Sequence, residues 1–232
     1  MIREHNILIA SVGGQGGITL SRIIARAAMK MGHKVIVGET LGMAQRGGSV
    51  QSHVRIGSQV YGPLIPEGRC HILIALEPVE ALRAARYLSP ESTILLNEAS
   101  LPPITAILGE VSYPTLREVM EALNRIGCRV YHLNAEKLAL EAGSKRCLNV
   151  VMLGAYMAHI EAERLNIITM EAAREAVKES VPSRYVEANL KSLELGYVAL
   201  RRAMRHREVT PVKPKVKTSA GDVVRELRNG KV

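Results

Sequence analysis

The sequence predicts an α/β fold: a doubly wound, mostly parallel sheet followed by a helical C-terminal extension. Three observations carry this. Short aliphatic runs alternate with helix-patterned segments through the first 133 residues. The first run, Ile7-Leu8-Ile9-Ala10, leads through Ser11-Val12-Gly13-Gly14-Gln15-Gly16-Gly17 into an amphipathic segment, the strand–glycine turn–helix order of a Rossmann-like unit. From Asn134 onward the pattern is helical only. The core must be aliphatic, because the 232 residues include no Phe, no Trp and only 7 Tyr. Val, Ile, Leu, Ala and Met suit parallel strands covered on both faces.

The elements follow in order. Residues 7–10 form the first strand and 18–31 the first helix, which Gly32 stops. Residues 33–39 form the second strand. A second glycine cluster, Gln45-Arg46-Gly47-Gly48, precedes a third strand at 50–56, and Gly57-Ser58 turns the chain. Residues 71–76 are an apolar fourth strand. Pro78 opens a helix through residue 88, since proline is tolerated in a first turn. A fifth strand covers 93–96, Leu101-Pro102-Pro103 breaks the chain, and 109–113 is a short extended piece. Thr115 and Glu118 form a capping box for a helix to residue 126, and a sixth strand covers 129–133. Such alternation implies parallel strands with right-handed crossovers. Helices follow at 135–142, at 149–164 with Asn149 as N-cap, at 169–177 with Thr169 as N-cap, and at 184–204. Residues 1–204 thus form one domain. Residues 205–232 form a basic, partly flexible tail, with a linker at 210–215 and a short helix at 222–228.

Composition narrows function. The net charge of +9 draws in part on the tail, where Arg205 to Lys231 outweigh Glu208, Asp222 and Glu226. The tail reads as a solvated segment, with docking onto an acidic partner as the alternative. RNA binding is disfavoured, because base-stacking modules need exposed rings. Cys70, Cys128 and Cys147 are isolated, with no C-x-x-C pair. No iron–sulfur or structural zinc site is legible, and the pattern suits the cytoplasm. No signal peptide or bilayer-length apolar run is present.

Gly13, Gly14, Gly16 and Gly17, with Gln15 between them, are the main candidates for contact with a phosphate-bearing ligand. A strict dinucleotide motif has glycine at position 11, where this chain has Ser11. Glu39 ends the second strand, where a ribose-binding acid is expected. In the second cluster, Arg46 offers a planar fork for phosphate or carboxylate, and Gly47 and Gly48 imply close backbone approach. On the third strand Gln51, His53 and Arg55 share one face, which reads as solvent-facing or an interface. No serine sits in a nucleophile elbow. A stand-alone nucleotide-binding protein remains an alternative at this level.

The motifs Val12-Gly13-Gly14-Gln15-Gly16, Gly42-Met43-Ala44-Gln45-Arg46-Gly47-Gly48-Ser49-Val50 and Ser52-His53-Val54-Arg55-Ile56-Gly57 form an ordered set. So do Leu64-Ile65-Pro66-Glu67-Gly68, Leu76-Glu77-Pro78-Val79-Glu80-Ala81-Leu82-Arg83 and Pro182-Ser183-Arg184-Tyr185-Val186-Glu187-Ala188-Asn189. Across residues 5–204 the chain resembles the gamma-type subunit of 2-oxoacid:ferredoxin oxidoreductases, in the branch of the indolepyruvate ferredoxin oxidoreductase beta subunit. Ser11 and Leu41 depart from the family pattern. The resemblance implies oxidative decarboxylation of a 2-oxoacid with coenzyme A, giving an acyl-CoA and CO2 while ferredoxin is reduced. The 2-oxoacid is then an aryl pyruvate such as indolepyruvate, with pyruvate, 2-oxoglutarate or a branched-chain acid as alternatives. It further implies that thiamine diphosphate, Mg and [4Fe-4S] clusters ride on a larger partner subunit and that ferredoxin is met through the complex. It implies no membrane or nucleic-acid partner, allows homodimer contacts, and leaves no catalytic or metal-binding residue on this chain.

Overall fold

A computed structural model describes residues 2–42 and 47–205. The expected tail, its linker and its short helix lie outside the described residues, apart from Arg205, and so do Gln45 and Arg46. The strands are β1 (His5–Val12), β2 (Val35–Leu41), β3 (Ser49–Ile56), β4 (Ile72–Ala75), β5 (Thr93–Asn97) and β6 (Arg129–Leu133). They form one sheet in the order β2-β3-β1-β4-β5-β6. The helices are α1 (Gly17–Lys30), α2 (Pro78–Arg83), α3 (Ile104–Ile107), α4 (Leu116–Ile126), α5 (Ala135–Glu141), α6 (Leu148–Ala162), α7 (Met170–Ser180) and α8 (Val186–Arg205).

The doubly wound α/β class stands, with one qualification. Strands β1, β4, β5 and β6 are parallel, whereas β3 runs antiparallel to both neighbours, β1 and β2. The connection from β2 to β3 is too short for a crossover, so β3 must return antiparallel. It fills the slot between β1 and β2.

Alternation along β1 builds two cores. Ile7 and Ile9 face α1, α6 and the C-terminal helices, together with Val54, Ile56, Ile72 and Ile74. Leu8 and Ala10 face α2 and α4 with Leu73, Ala75, Ile94 and Leu96. Helix α6 is buried from Leu148 to Ile160, as expected for a helix apolar on all sides. It crosses α8 through paired glycines: a methyl group on Gly154 would overlap the backbone of Leu193, and one on Gly196 that of Val151.

Four local expectations change. At His53 and Arg55 the polar strip on β3 does not face solvent, because residues 57–65 fold across it, whereas Gln51 stays half-buried. Arg55 donates to Gly62 O at 2.8 Å and Leu64 O at 3.1 Å. It also donates to Asn6 Oδ1 at 3.0 Å and Glu4 Oε1 at 2.8 Å. His53 accepts the Ile65 amide at 3.3 Å and is fully buried. Second, residues 109–113 form no strand; a short helix, α3, precedes them instead. Third, the helix expected to run to residue 88 ends at Arg83 and tightens into a 3-10 turn at Ala85–Tyr87. Fourth, Cys147, not Asn149, is the N-cap of α6, which frees the Asn149 side chain for another partner. The capping box of Thr115 and Glu118 forms as expected. No described helix is long and apolar enough to cross a membrane.

Candidate functional site

The chain leaves β1 through α1 toward β2, and leaves β4 through α2 toward β5 on the opposite side. The carboxyl ends of β1 and β4 therefore flank a topological switch point, where open α/β sheets bind ligands. The Gln15 side chain fills this crevice. Its Oε1 accepts the Val12 amide at 2.8 Å and its Nε2 donates to Leu76 O at 3.1 Å. Asn97 donates to the same Leu76 carbonyl at 2.9 Å and accepts the Ala135 amide at 3.0 Å. Gln15 thus braces the strand ends rather than reaching outward.

The glycines of the first turn divide into two kinds. Gly14 has φ 104° and open space where a side chain would stand, so the backbone itself demands glycine there. Gly16, with φ 85°, caps α1. Packing also excludes larger residues: a methyl group on Gly16 would press on the Asn149 amide, and one on Gly17 would collide with Ser11 Oγ. Ser11 is 1% exposed and its hydroxyl points to Val50 O at 3.4 Å. The serine therefore occupies the room that Gly17 leaves.

The two glycine clusters meet. The Gly13 amide donates to Gly48 O at 2.8 Å and the Gly47 amide to Gly13 O at 3.4 Å, extending the β1–β3 ladder by one residue. Beside them lies a pocket of about 410 Å³, lined by Ser11, Val12, Gly13, Gly14, Gly16, Gly17, Ile18, Leu41, Gly42 and Val50. Its size is that of a small-molecule site. The N-terminus of the 14-residue α1 opens into it, which favours an anion. None of its described lining residues carries a charge.

Glu39 does not join this pocket. It pairs with Ser52 of β3, which pairs with Ile9 in the middle of β1. The inserted strand puts Glu39 on an exposed edge, two strands from the glycine turn. Leu41 stands in register with Val50 and Ser11 instead and lines the pocket.

Sequence reasoning missed the site on the other side of Val12. Glu77 and Glu80 are 1% and 2% exposed. Glu77 caps α2 by accepting the Glu80 amide at 3.0 Å, and it also accepts the Tyr113 hydroxyl. Glu80 accepts the Ser49 hydroxyl and Arg83 Nη1, each at 2.5 Å. Burial raises the Glu80 pKa, opposed by these donors. The available signal was the i,i+3 spacing of two acids around Pro78, which also reads as ordinary helix capping.

The three cysteines are free and buried. Burial pushes the Cys70 and Cys128 thiols up to about 12 and raises Cys147, as for inert structural thiols rather than reactive ones. Among the described residues no group of three or more His, Cys, Asp or Glu side chains is placed to hold a metal ion.

Comparison with known proteins gives a consistent picture. Residues 6–199 match the family model described as pyruvate ferredoxin/flavodoxin oxidoreductase. The chain is 44% identical to the indolepyruvate oxidoreductase subunit IorB of Archaeoglobus fulgidus over 192 residues, covering 83% of this chain and 93% of that one. It is 38% identical to the subunit of the same name from Thermococcus kodakarensis, covering 85% and 96%. Among solved structures, the gamma subunit of a keto/oxoacid ferredoxin oxidoreductase from Geobacter sulfurreducens superposes with a TM-score of 0.61 at 26% identity. That match covers 86% of this chain and 99% of that one.

Proposed function

This chain belongs to the pyruvate ferredoxin/flavodoxin oxidoreductase family, and on that premise we propose that it is the gamma-type subunit of a ferredoxin-dependent 2-oxoacid oxidoreductase acting on indolepyruvate or another aryl pyruvate. The complex would decarboxylate the 2-oxoacid oxidatively, pass the electrons to ferredoxin and leave the acyl group on coenzyme A. The near full-length match to the indolepyruvate oxidoreductase subunit carries this reading.

Thiamine diphosphate, its Mg ion and the [4Fe-4S] clusters would supply the decarboxylation and electron-transfer chemistry. The residues here do not fit them: the three thiols are buried, burial raises their pKa values, and among the described residues no group of three or more His, Cys, Asp or Glu side chains is placed to hold a metal ion. We therefore assign these groups to a larger partner subunit and derive no step through them.

What this chain supplies is a wall. The pocket beside Gly13, Gly14 and Gly16 offers backbone and apolar surface, and it fits the phosphate-bearing part of coenzyme A. Countercharge must come from outside the described lining, from Arg46 or from the partner. A stand-alone nicotinamide enzyme is the weaker reading, because Glu39 stands away from the pocket. The complex is assigned to the cytoplasm.

The test is reconstitution. The chain is co-expressed with its thiamine-binding partner, and ferredoxin reduction is followed with indolepyruvate, pyruvate or 2-oxoglutarate, each with and without coenzyme A. The expected result is coenzyme-A-dependent reduction that prefers indolepyruvate and requires this chain. Equal activity of the partner alone would overturn the assignment.

A further inference from the structure

Ser49 is held from two sides. Through Gly48 O and the Gly47 amide, the chain just before it is zipped to Gly13. Through its own hydroxyl it is tied to Glu80 at 2.5 Å. Glu80 is itself immobilised. Its other oxygen accepts Arg83 Nη1, and its backbone amide donates to Glu77. Glu77 in turn accepts the Tyr113 hydroxyl and the Leu101 amide, the latter at 3.4 Å.

No carboxylate oxygen of the pair is therefore left without a protein partner. Burying two neighbouring carboxylates also costs stability compared with apolar residues of the same size. What the arrangement supplies is geometry. A cavity of about 190 Å³ lies between Val12, Gly47, Glu77, Glu80, Arg83 and Tyr113. Val12 also lines the glycine pocket. The end of β1 and the base of the β2–β3 connection thus form the partition between the two cavities.

We propose that Glu80 is a positioning residue: acting through the Ser49 hydroxyl, it holds the base of the β2–β3 connection against Gly13 and so sets the wall of the glycine pocket. Its consequence for coenzyme A rests on the function proposed above. The loop-holding role itself does not.

The test uses Ser49→Ala, Ser49→Thr and Glu80→Gln in the full chain, alone and in the reconstituted complex. In the free chain, amide hydrogen exchange at Gly13 and Gly47 should accelerate at least ten-fold in Ser49→Ala and Glu80→Gln. Exchange in β5 and α6 should stay unchanged, and Ser49→Thr, which keeps a hydroxyl, should restore protection. In the complex, Ser49→Ala should raise the KM for coenzyme A at least five-fold with kcat within two-fold. Unchanged exchange at Gly13 and Gly47 in Ser49→Ala would overturn the proposal, whether or not Glu80→Gln folds. Faster exchange with an unchanged KM would uphold the positioning role and overturn only the assignment of coenzyme A to this pocket.

Discussion

Asn149, at the head of α6, donates its side-chain Nδ2 to the carbonyl of Gly16 at 3.1 Å, across 133 residues of sequence. Its Oδ1 accepts the Val150 amide at 3.0 Å. The C-terminal helical layer is thereby fastened to the turn that opens α1. Asn149→Ala should cost about 1–2 kcal/mol, since it removes this bond and leaves the Gly16 carbonyl with the Leu20 amide. Urea denaturation at neutral pH measures this; a loss below about 0.3 kcal/mol would show that water replaces the amide without cost.

The crossing of α6 and α8 is closer still. Gly154 and Gly196 each face the other helix's backbone with no room for a methyl group. Gly196→Ala should therefore destabilise the domain by about 2 kcal/mol or more, because packed helices must separate. The gain in helix propensity from alanine, about 1 kcal/mol, is smaller. A variant with an unchanged or raised Tm would contradict the tight crossing.

Arg164 carries φ 55°, the one described non-glycine residue with positive φ. It follows the C-cap of α6, where the left-handed conformation ends the helix. Arg164→Gly should stabilise the chain by about 1 kcal/mol, the cost of holding a side chain in that region. Thermal unfolding checks the sign, and a lower Tm would mean that the side chain contributes more than its strain costs.

Burial lowers the pKa of His5 to about 3 and those of His53 and His159 to about 4. These groups stay neutral in the folded chain but take up protons in the unfolded chain below about 6.5. Their contribution is complete above pH 6.5 and is lost as pH falls from 6.5 toward 4. The slope approaches about 1.4 kcal/mol per pH unit for each histidine. Glu4, lowered to about 2 by its bonds to Asn6, Arg55 and Arg69, adds a loss in the same direction below about 4.5. Glu80, raised by burial, opposes it. Urea midpoints at pH 7.5, 6.5 and 5.5 test this, and His159→Phe should flatten the profile. The His159 Nδ1 is buried without a hydrogen-bond partner, so that substitution leaves no acceptor stranded. A midpoint independent of pH over this range would refute the assignment.

The layout of the fold was legible where local signals are strong. Gly13–Gly17 after an aliphatic run, the Thr115 capping box and the all-apolar face of α6 are short-range patterns with short-range causes. The strip of Gln51, His53 and Arg55 misled because period-2 alternation marks two faces but does not say what covers them. Glu39 misled because a ribose-binding acid needs β2 beside β1, and that depends on where the next strand goes.

By itself, then, the sequence determined the α/β class, the glycine turn ahead of α1 and the helical C-terminal layer, since these follow from periodicity, capping and turn chemistry within a few residues. Only the tertiary structure decided that β3 enters between β1 and β2, that Leu41 rather than Glu39 meets the glycine turn, and that Glu80 reaches Ser49 while Asn149 reaches Gly16. The reason is physical. Strand order and long-range hydrogen bonds are set by how the whole chain closes its two cores, and no window of neighbouring residues contains that information.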